Sequence, residues 1–208
     1  MKGLDFDAEE IDEHLYFPYE NYKSEMKMSR FMGENTVLSP PPAEIKDLMD
    51  AFEDNGYEIL VVGGAVRDAI LNLPIKDYDL ATNAKPDEIK EVVDGIKGYR
   101  YVLGPQAEKS LVNLTSLVNV PNQKEAIEIT TFRKELGYAG GRTKGVFEPA
   151  DTFEEDAERR DLTINAMGMN SKGEVIDPQG GLDDLQNGVI RAVGDPTQRF
   201  VEDPLRMI

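Results

Sequence analysis

Apolar residues along this chain change between strand-like and helix-like spacing, which predicts a mixed α/β (α+β) domain. The run Ile59–Val62 is short, apolar and β-branched, and such a run predicts a buried strand. Gly63-Gly64 interrupts it, and apolar residues then recur at helical spacing from Ala65 to Leu73, so a strand, a turn and a helix follow one another. The same patterns predict strands at 99–103, 110–119 and 126–132, and helices at 43–55, 86–94 and from residue 152.

Composition and turn residues divide the chain into segments. Residues 1–42 form an acidic extension that ends at three consecutive prolines, and residues 1–20 carry seven acids against one lysine. Residues 43–180 hold the predicted domain, with helices flanking a small mixed sheet. Residues 181–208 are expected to begin a helical neck, with a helix near Pro196. The glycine-rich segment Lys134–Gly145 predicts a mobile loop.

The overall composition limits the classes of protein. The chain has 208 residues, 40% of them hydrophobic, which suffices for one core. It has no cysteine, no signal peptide and no apolar run of about eighteen residues, so we expect a cytoplasmic location and no membrane partner. The net charge of −17 is unlike that of free-standing nucleic-acid binders, which hold phosphates with basic residues. Charge alone favours a different substrate.

Two carboxylates near the glycine turn carry the first chemical signal. Asp77 and Asp79 are two residues apart in what should be the next strand, so both side chains are expected on one face. Carboxylates this close repel each other unless a cation lies between them, and oxygen ligands suit Mg²⁺. A solvated loop is the alternative for such a pair. Gly63 and Gly64 allow the backbone to approach a phosphate, although an ordinary tight turn is equally consistent with them.

Arginines and a third carboxylate extend the candidate site. Arg67 lies in the first turn of the helix after the glycines, within reach of a phosphate, or else it pairs with Asp68. Glu128 shares the polar face of its predicted strand, either as a third metal-site carboxylate or as a solvated residue. Two adjacent arginines, Arg159 and Arg160, follow the helix predicted from residue 152, and on an acidic protein they can form salt bridges to the nearby acids (Glu154, Glu155 or Asp156).

Several ordered motifs show a family resemblance over roughly residues 43–208. The chain resembles the catalytic head of class II tRNA nucleotidyltransferases and bacterial poly(A) polymerases, a polymerase-β-like fold. The segments that carry the resemblance are Val61–Asp68, Lys76–Asp79, Glu128–Arg133, Glu155-Asp156 with Arg159–Met167, Asp177–Gly181, Ile190–Pro196 and Arg199–Met207.

The resemblance implies roles for individual residues. In the family, the residues matching Asp77 and Asp79 hold two Mg²⁺ ions, which activate a primer hydroxyl and neutralise a triphosphate. The residues matching the glycine turn, Arg67 and Arg160 contact the incoming nucleotide.

The residues matching Asp203 and Arg206 read the base of the nucleotide in this family. Residues three apart share one helix face, and an aspartate and an arginine offer the acceptor and donors that a base edge needs. Asp203 before Pro204 is also a favourable helix N-cap, so both roles remain open.

The implied reaction is addition of CMP and AMP, from CTP and ATP, to the 3′ end of a tRNA. Ile164–Met167 resembles the tRNA enzymes more than the poly(A) polymerases, although proline after Asp203 also occurs among the latter. Poly(A) synthesis therefore stays as an alternative. Relatives continue beyond the position of Ile208 into a helical body, so a further expectation is a nucleotide-binding subunit that acts with a helical RNA-binding partner.

Overall fold

The computed structural model describes residues 36–102, 114–138 and 145–197, and all structural statements concern these residues. Within them, seven strands form one mixed sheet in the order β3-β4-β5-β2-β1-β8-β9, and β6 and β7 form a separate hairpin. The strands are β1 (Ile59–Val62), β2 (Asp79–Thr82), β3 (Arg100–Val102), β4 (Thr115–Asn119), β5 (Ile127–Thr131), β6 (Arg133–Tyr138), β7 (Gly145–Pro149), β8 (Gly168–Met169) and β9 (Val175–Ile176).

Helices flank this sheet, as the apolar spacing predicts. They are α1 (Ala43–Asp54), α2 (Gly64–Ile70), α3 (Pro86–Asp94), α4 (Phe153–Ala157) and α5 (Gly181–Asn187), with a 3-10 turn at Thr163–Asn165. Helix α1 buries one face, consisting of Ile45, Leu48, Met49 and Phe52, which is the i, i+3, i+4, i+7 pattern of an amphipathic helix. The described part of the chain contains no helix that is long and apolar enough to cross a membrane.

The pairing of β1, β2 and β5 brings the predicted site residues to one end of the sheet. All four residues of β1 are buried, and β1 pairs antiparallel with β2 so that Val62 lies opposite Asp79. Strand β2 pairs in parallel with β5, with Leu80 opposite Ile129. The end of β1 and the starts of β2 and β5 therefore lie at the same end of the sheet, together with the glycine turn and the predicted carboxylates.

Two local predictions at this edge need correction. Helix α2 ends at Ile70 instead of Leu73, because Asn72 adopts a left-handed conformation with φ of +55°, which a helix cannot continue. Strand β2 begins at Asp79, so the prediction that Asp77 also belongs to this strand is wrong. Asp77 lies in the connection just before the strand.

The prediction of a mobile loop over Lys134–Gly145 is also wrong at both ends. Residues 133–138 and 145–149 pair as an antiparallel hairpin, with Lys134 opposite Glu148. The register shifts between Glu135 and Gly137, and a glycine at such an irregularity is compatible with a strand. Residues 139–144 lie outside the described residues.

Helix α5 packs against the 3-10 turn. The Thr163 hydroxyl donates to the Asp184 carboxylate at 2.7 Å, and a Cβ at Gly181 would lie 2.1 Å from the Thr163 carbonyl oxygen, so only glycine permits this approach. Residues 196–197 are helical, at the start of the predicted helix near Pro196. The predicted boundaries at 42 and 180 stay predictions.

Candidate functional site

A cavity of about 640 Å³ opens at the sheet edge where β2 and β5 begin. Its walls come from two segments, 76–79 and 122–128, and include Asp77, Asp79 and Glu128. The structure thus brings all three predicted carboxylates to one cavity. Glu128 is exposed on β5, whereas its neighbours Ile127 and Ile129 are buried, as the strand pattern predicts.

The carboxylates of Asp77 and Asp79 have no hydrogen-bond or ion-pair partner among the described residues. Burial raises the pKa of the Asp79 carboxyl group above its usual value, and the charge of Asp77 raises it further. The Arg160 guanidinium acts in the opposite direction on the pKa of Asp79. The two aspartates therefore have no direct hydrogen-bond or ion-pair partner among the described residues, although Lys76 and Lys124 also line the cavity.

This pair fits a divalent cation. Within the described ranges, no group of three acidic, histidine or cysteine side chains is close enough to hold a metal ion. A cation between Asp77 and Asp79 would therefore complete its coordination with water and substrate oxygens, which is how Mg²⁺ commonly binds in proteins. Glu128 lines the same cavity but does not form a compact ligand group with the two aspartates.

The glycine turn lies next to this pair, because Val62 is opposite Asp79. Gly63 has φ of +71° and ψ of −135°, a conformation that is open essentially only to glycine. A Cβ at Gly63 would lie 3.6 Å from Arg160 Nη1, and one at Gly64 would lie 3.4 Å from Arg67 Nη2. The space beside both glycines is thus bordered by two guanidinium groups.

Arg67 has two neighbours. Its Nε and Nη2 donate to Asp68 Oδ1 at 3.0 and 2.8 Å, and its Nη1 donates to Asn165 Oδ1 at 2.7 Å. The pairing with Asp68, which the sequence left as an alternative, is present. It leaves the side chain of Arg67 31% exposed, so the guanidinium remains accessible to a ligand.

Arg160 is held in a similar way. Its Nε and Nη2 donate to Asp156 Oδ2 at 3.2 and 2.9 Å, and its Nη1 donates to the Asn165 carbonyl oxygen at 3.4 Å. The guanidinium carbon lies 5.7 Å from the centre of the Phe153 ring. Asp156 is fully buried and also pairs with Arg159 at 2.8 Å. The salt bridge to Asp156, an alternative from the sequence, is therefore present.

The structure adds one residue that the sequence did not single out. Asn165 contacts both arginines, although it is 98 positions from Arg67. A contact across that separation leaves no periodic signal in the chain. For Arg159 and Arg160, the nearby acids did predict salt bridges, and the structure selects Asp156 from the three acids that the sequence left open. The predicted base-reading residues Asp203 and Arg206 lie outside the described residues.

Similarity to known proteins places these features in a family. Residues 59–191 match the model of the poly(A) polymerase head domain. The CCA-adding enzyme of Ligilactobacillus salivarius is 42% identical over 175 residues, covering 83% of this chain and 40% of that protein. The CCA-adding enzyme of Enterococcus faecalis is 40% identical over 174 residues, covering 82% of this chain and 40% of that protein.

A solved structure supports the same relationship. The crystal structure of Bacillus stearothermophilus CCA-adding enzyme in complex with CTP aligns with a TM-score of 0.67 and 33% identity, covering 82% of this chain and 38% of that chain. The present chain spans about 40% of the length of the curated relatives. The structural likeness confirms the predicted nucleotidyltransferase head fold with a mixed sheet and flanking helices. The chain belongs to the poly(A) polymerase head-domain family.

Proposed function

We propose that this chain is the catalytic head of an enzyme that transfers CMP and AMP from CTP and ATP to a tRNA 3′ end. The RNA 3′-hydroxyl oxygen attacks the α-phosphorus, and a phosphodiester bond forms. The bond to the β-phosphate oxygen breaks, and pyrophosphate and the hydroxyl proton leave. The observation that carries the proposal is the Asp77–Asp79 pair, which has no hydrogen-bond or ion-pair partner in the described part of the chain and lies beside a glycine turn that two arginines border.

Each residue has a role in this proposal. Asp77 and Asp79 would hold two Mg²⁺ ions, and Glu128 would be the third carboxylate of the site. Magnesium, when bound, activates the attacking hydroxyl and offsets negative charge on the triphosphate. Gly63 and Gly64 let the triphosphate approach the backbone, and Arg67 and Arg160 supply positive charge at its oxygens.

The choice of base is proposed to come from Asp203 and Arg206. An aspartate accepts from an exocyclic amine, and an arginine offers two parallel donors. A mismatched base would leave a hydrogen-bonding group unpaired, at a cost of roughly 1–3 kcal/mol for each buried group. The protein would therefore act as the template for the added nucleotides.

CCA addition is preferred over poly(A) synthesis for two reasons. The segment Ile164–Met167 resembles the tRNA enzymes, and the relatives at 42% and 40% identity are named CCA-adding enzymes. The net charge of −17 favours a second version, in which this chain binds nucleotide and a helical partner holds the RNA. An acidic surface repels the RNA backbone beyond the metal-bridged contacts.

A primer-extension assay tests these versions. The 208-residue chain is incubated with Mg²⁺, a tRNA that lacks its 3′ CCA, and labelled CTP and ATP, singly and together. We expect addition of C, C and A in that order. Long adenosine tails would instead identify a poly(A) polymerase. Nucleotide binding without incorporation would support the version with an RNA-binding partner, and absence of nucleotide binding would refute the proposal.

A further inference from the structure

The Nη1 atoms of Arg67 and Arg160 both donate hydrogen bonds to Asn165. Arg67 Nη1 donates to the side-chain oxygen of Asn165 at 2.7 Å, and Arg160 Nη1 donates to its backbone carbonyl oxygen at 3.4 Å. The Nε and Nη2 groups of each arginine are bound to an aspartate, Asp68 for Arg67 and Asp156 for Arg160. In both arginines, Asn165 accepts from Nη1, the nitrogen that makes no hydrogen bond to the aspartate.

Asn165 is itself fixed from several directions. Its side-chain nitrogen donates to Asp161 Oδ1 at 3.3 Å, and its backbone N–H donates to the Leu162 carbonyl oxygen at 3.0 Å. The 3-10 turn that carries it is bound through the Thr163 N–H, which donates to the Arg191 carbonyl oxygen at 2.9 Å. An asparagine held by neighbours on both sides of its amide has little freedom to rotate.

We propose that Asn165 is a positioning residue that holds Arg67 through its side chain, and Arg160 through its backbone carbonyl, beside the Gly63-Gly64 turn, where they receive the triphosphate of the nucleotide. This inference rests on the proposed function. The two guanidinium groups border the space beside the glycines, at 3.6 Å from a Cβ at Gly63 and 3.4 Å from a Cβ at Gly64. Asn165 contacts Arg67 through its side chain and Arg160 through its backbone carbonyl, so substitution of the side chain removes the contact with Arg67 and leaves the contact with Arg160.

An asparagine is chemically suited to this task. Its amide accepts from Arg67 and donates to Asp161 at the same time, which a carboxylate cannot do. Because the amide is neutral, it orients the Arg67 guanidinium without neutralising its charge. A carboxylate at this position would compete with phosphate for Arg67. Phosphate recognition by arginine depends on such orientation, since a positioned planar guanidinium loses less rotational freedom on binding.

The test compares binding of CTP and CMP in the presence of Mg²⁺ by calorimetry. The variants are Asn165→Ala and Asn165→Asp, and the matched control is Asn187→Ala. Asn187 is the last residue of α5, and among the described residues its side chain bonds only to Asp183. Urea unfolding of each variant checks that the fold is retained. CMP serves as the reference because it carries the same base and sugar without the β- and γ-phosphates.

We expect Asn165→Ala to weaken CTP binding by about tenfold or more, the effect of one lost hydrogen bond to a charged group, and to change CMP binding much less. Asn165→Asp keeps an acceptor for Arg67, so this variant should fold if alanine does not. Its added charge should still weaken CTP binding by at least about tenfold. Asn187→Ala should bind both nucleotides like the wild type.

Three results would overturn the inference in distinguishable ways. Wild-type CTP affinity in the folded Asn165 variants would show that Asn165 does not position the arginines, and the proposed function would stand. Equal losses for CTP and CMP would identify a general structural role instead. If the wild-type chain bound no CTP, the proposed function itself would be refuted, and this inference with it.

Discussion

Aspartates in two regions of this protein have opposite environments. Asp156 and Asp184 are buried, at 0% and 4% exposure, and both are bound to arginines. Asp77 and Asp79 line a cavity and have no hydrogen-bond or ion-pair partner among the described residues. The first pair stabilises the fold, whereas the second pair is available to a ligand. The difference lies in the neighbours that the fold supplies, since the residue type is the same.

The pKa directions follow this difference. The Arg191 guanidinium and the Thr163 hydroxyl bond the carboxylate of Asp184 and lower its pKa. Asp79 is exposed at the start of β2, but partial desolvation, together with the charge of Asp77, raises its pKa, and the Arg160 guanidinium only partly opposes this. Asp184 is thus already bound within the structure, whereas Asp79 has no direct partner among the described residues and is a candidate for a cation.

The largest expected effect is on catalysis, from Asp77→Ala. Removal of one metal-holding carboxylate should lower nucleotidyl transfer by at least about a thousandfold, because metal ions contribute several kcal/mol to charge stabilisation in the transition state. The melting temperature should change little, because the Asp77 side chain makes no hydrogen bond or ion pair with any described residue. Primer extension and thermal unfolding measure the two effects.

The matched control for that substitution is Asp87→Ala. Asp87 is exposed in the first turn of α3 and does not line the cavity. Its variant should keep wild-type activity. Normal transfer by Asp77→Ala would exclude this residue as a metal ligand.

The second effect is on stability, from Asp156→Ala. This change leaves Arg159 and Arg160 without their buried carboxylate, and breaking such a pair typically costs about 3–5 kcal/mol. The free energy of unfolding, measured with urea, should fall by that amount. Glu154→Ala is the control on the same helix, because Glu154 is exposed, and it should change stability by less than about 0.5 kcal/mol. A similar small change for Asp156→Ala would contradict its anchoring role.

A smaller loss is expected from Thr163→Val. The substitution preserves the shape of the side chain but removes the hydroxyl that donates to Asp184 at 2.7 Å. A hydrogen bond to a charged group is worth about 1.5–3 kcal/mol, and Arg191 still binds the carboxylate, so we expect the lower end of this range. Thr197→Val, at an exposed position, provides the comparison in urea unfolding. Equal stability of the two variants would argue against the Thr163–Asp184 bond.

The smallest effect is in the pH dependence of stability. The contributions of Asp184 and Asp79 should change with pH in opposite directions. The pKa of Asp184 is lowered from 3.8, so its stabilisation is present above that value and is lost as the pH falls through the folded-state pKa. The pKa of Asp79 is raised from 3.8, so its protonation favours the fold. That contribution is complete below 3.8 and is lost as the pH rises through the folded-state pKa.

Unfolding of two variants between acidic and neutral pH measures this difference. Asp184→Asn should lose stability at neutral pH and show a smaller further loss on acidification. Asp79→Asn should gain stability relative to the wild type as the pH rises, because the unfavourable charge is gone. Parallel pH profiles of wild type and both variants would mean that neither carboxylate is perturbed by its surroundings.

The sequence correctly predicted the local structure of several elements. The run Ile59–Val62 gave the correct strand, and the apolar spacing of residues 43–55 gave α1 to within one residue. The prediction failed where tertiary pairing decides. Glycines in Lys134–Gly145 suggested a loop, but cross-strand hydrogen bonds hold residues 133–138 against 145–149. Propensity is a weak guide wherever a neighbouring strand completes the backbone hydrogen bonds.

The sequence by itself determined the family, the central strand–turn–helix and the identity of the candidate residues, because motif spacing and apolar periodicity are local properties. Only the tertiary structure decided which carboxylates are compensated and which are open. It also joined Arg67 and Arg160 through Asn165. Hydrogen-bond partners that are distant in the chain are chosen by packing, and the electrostatics of a site depend on those partners.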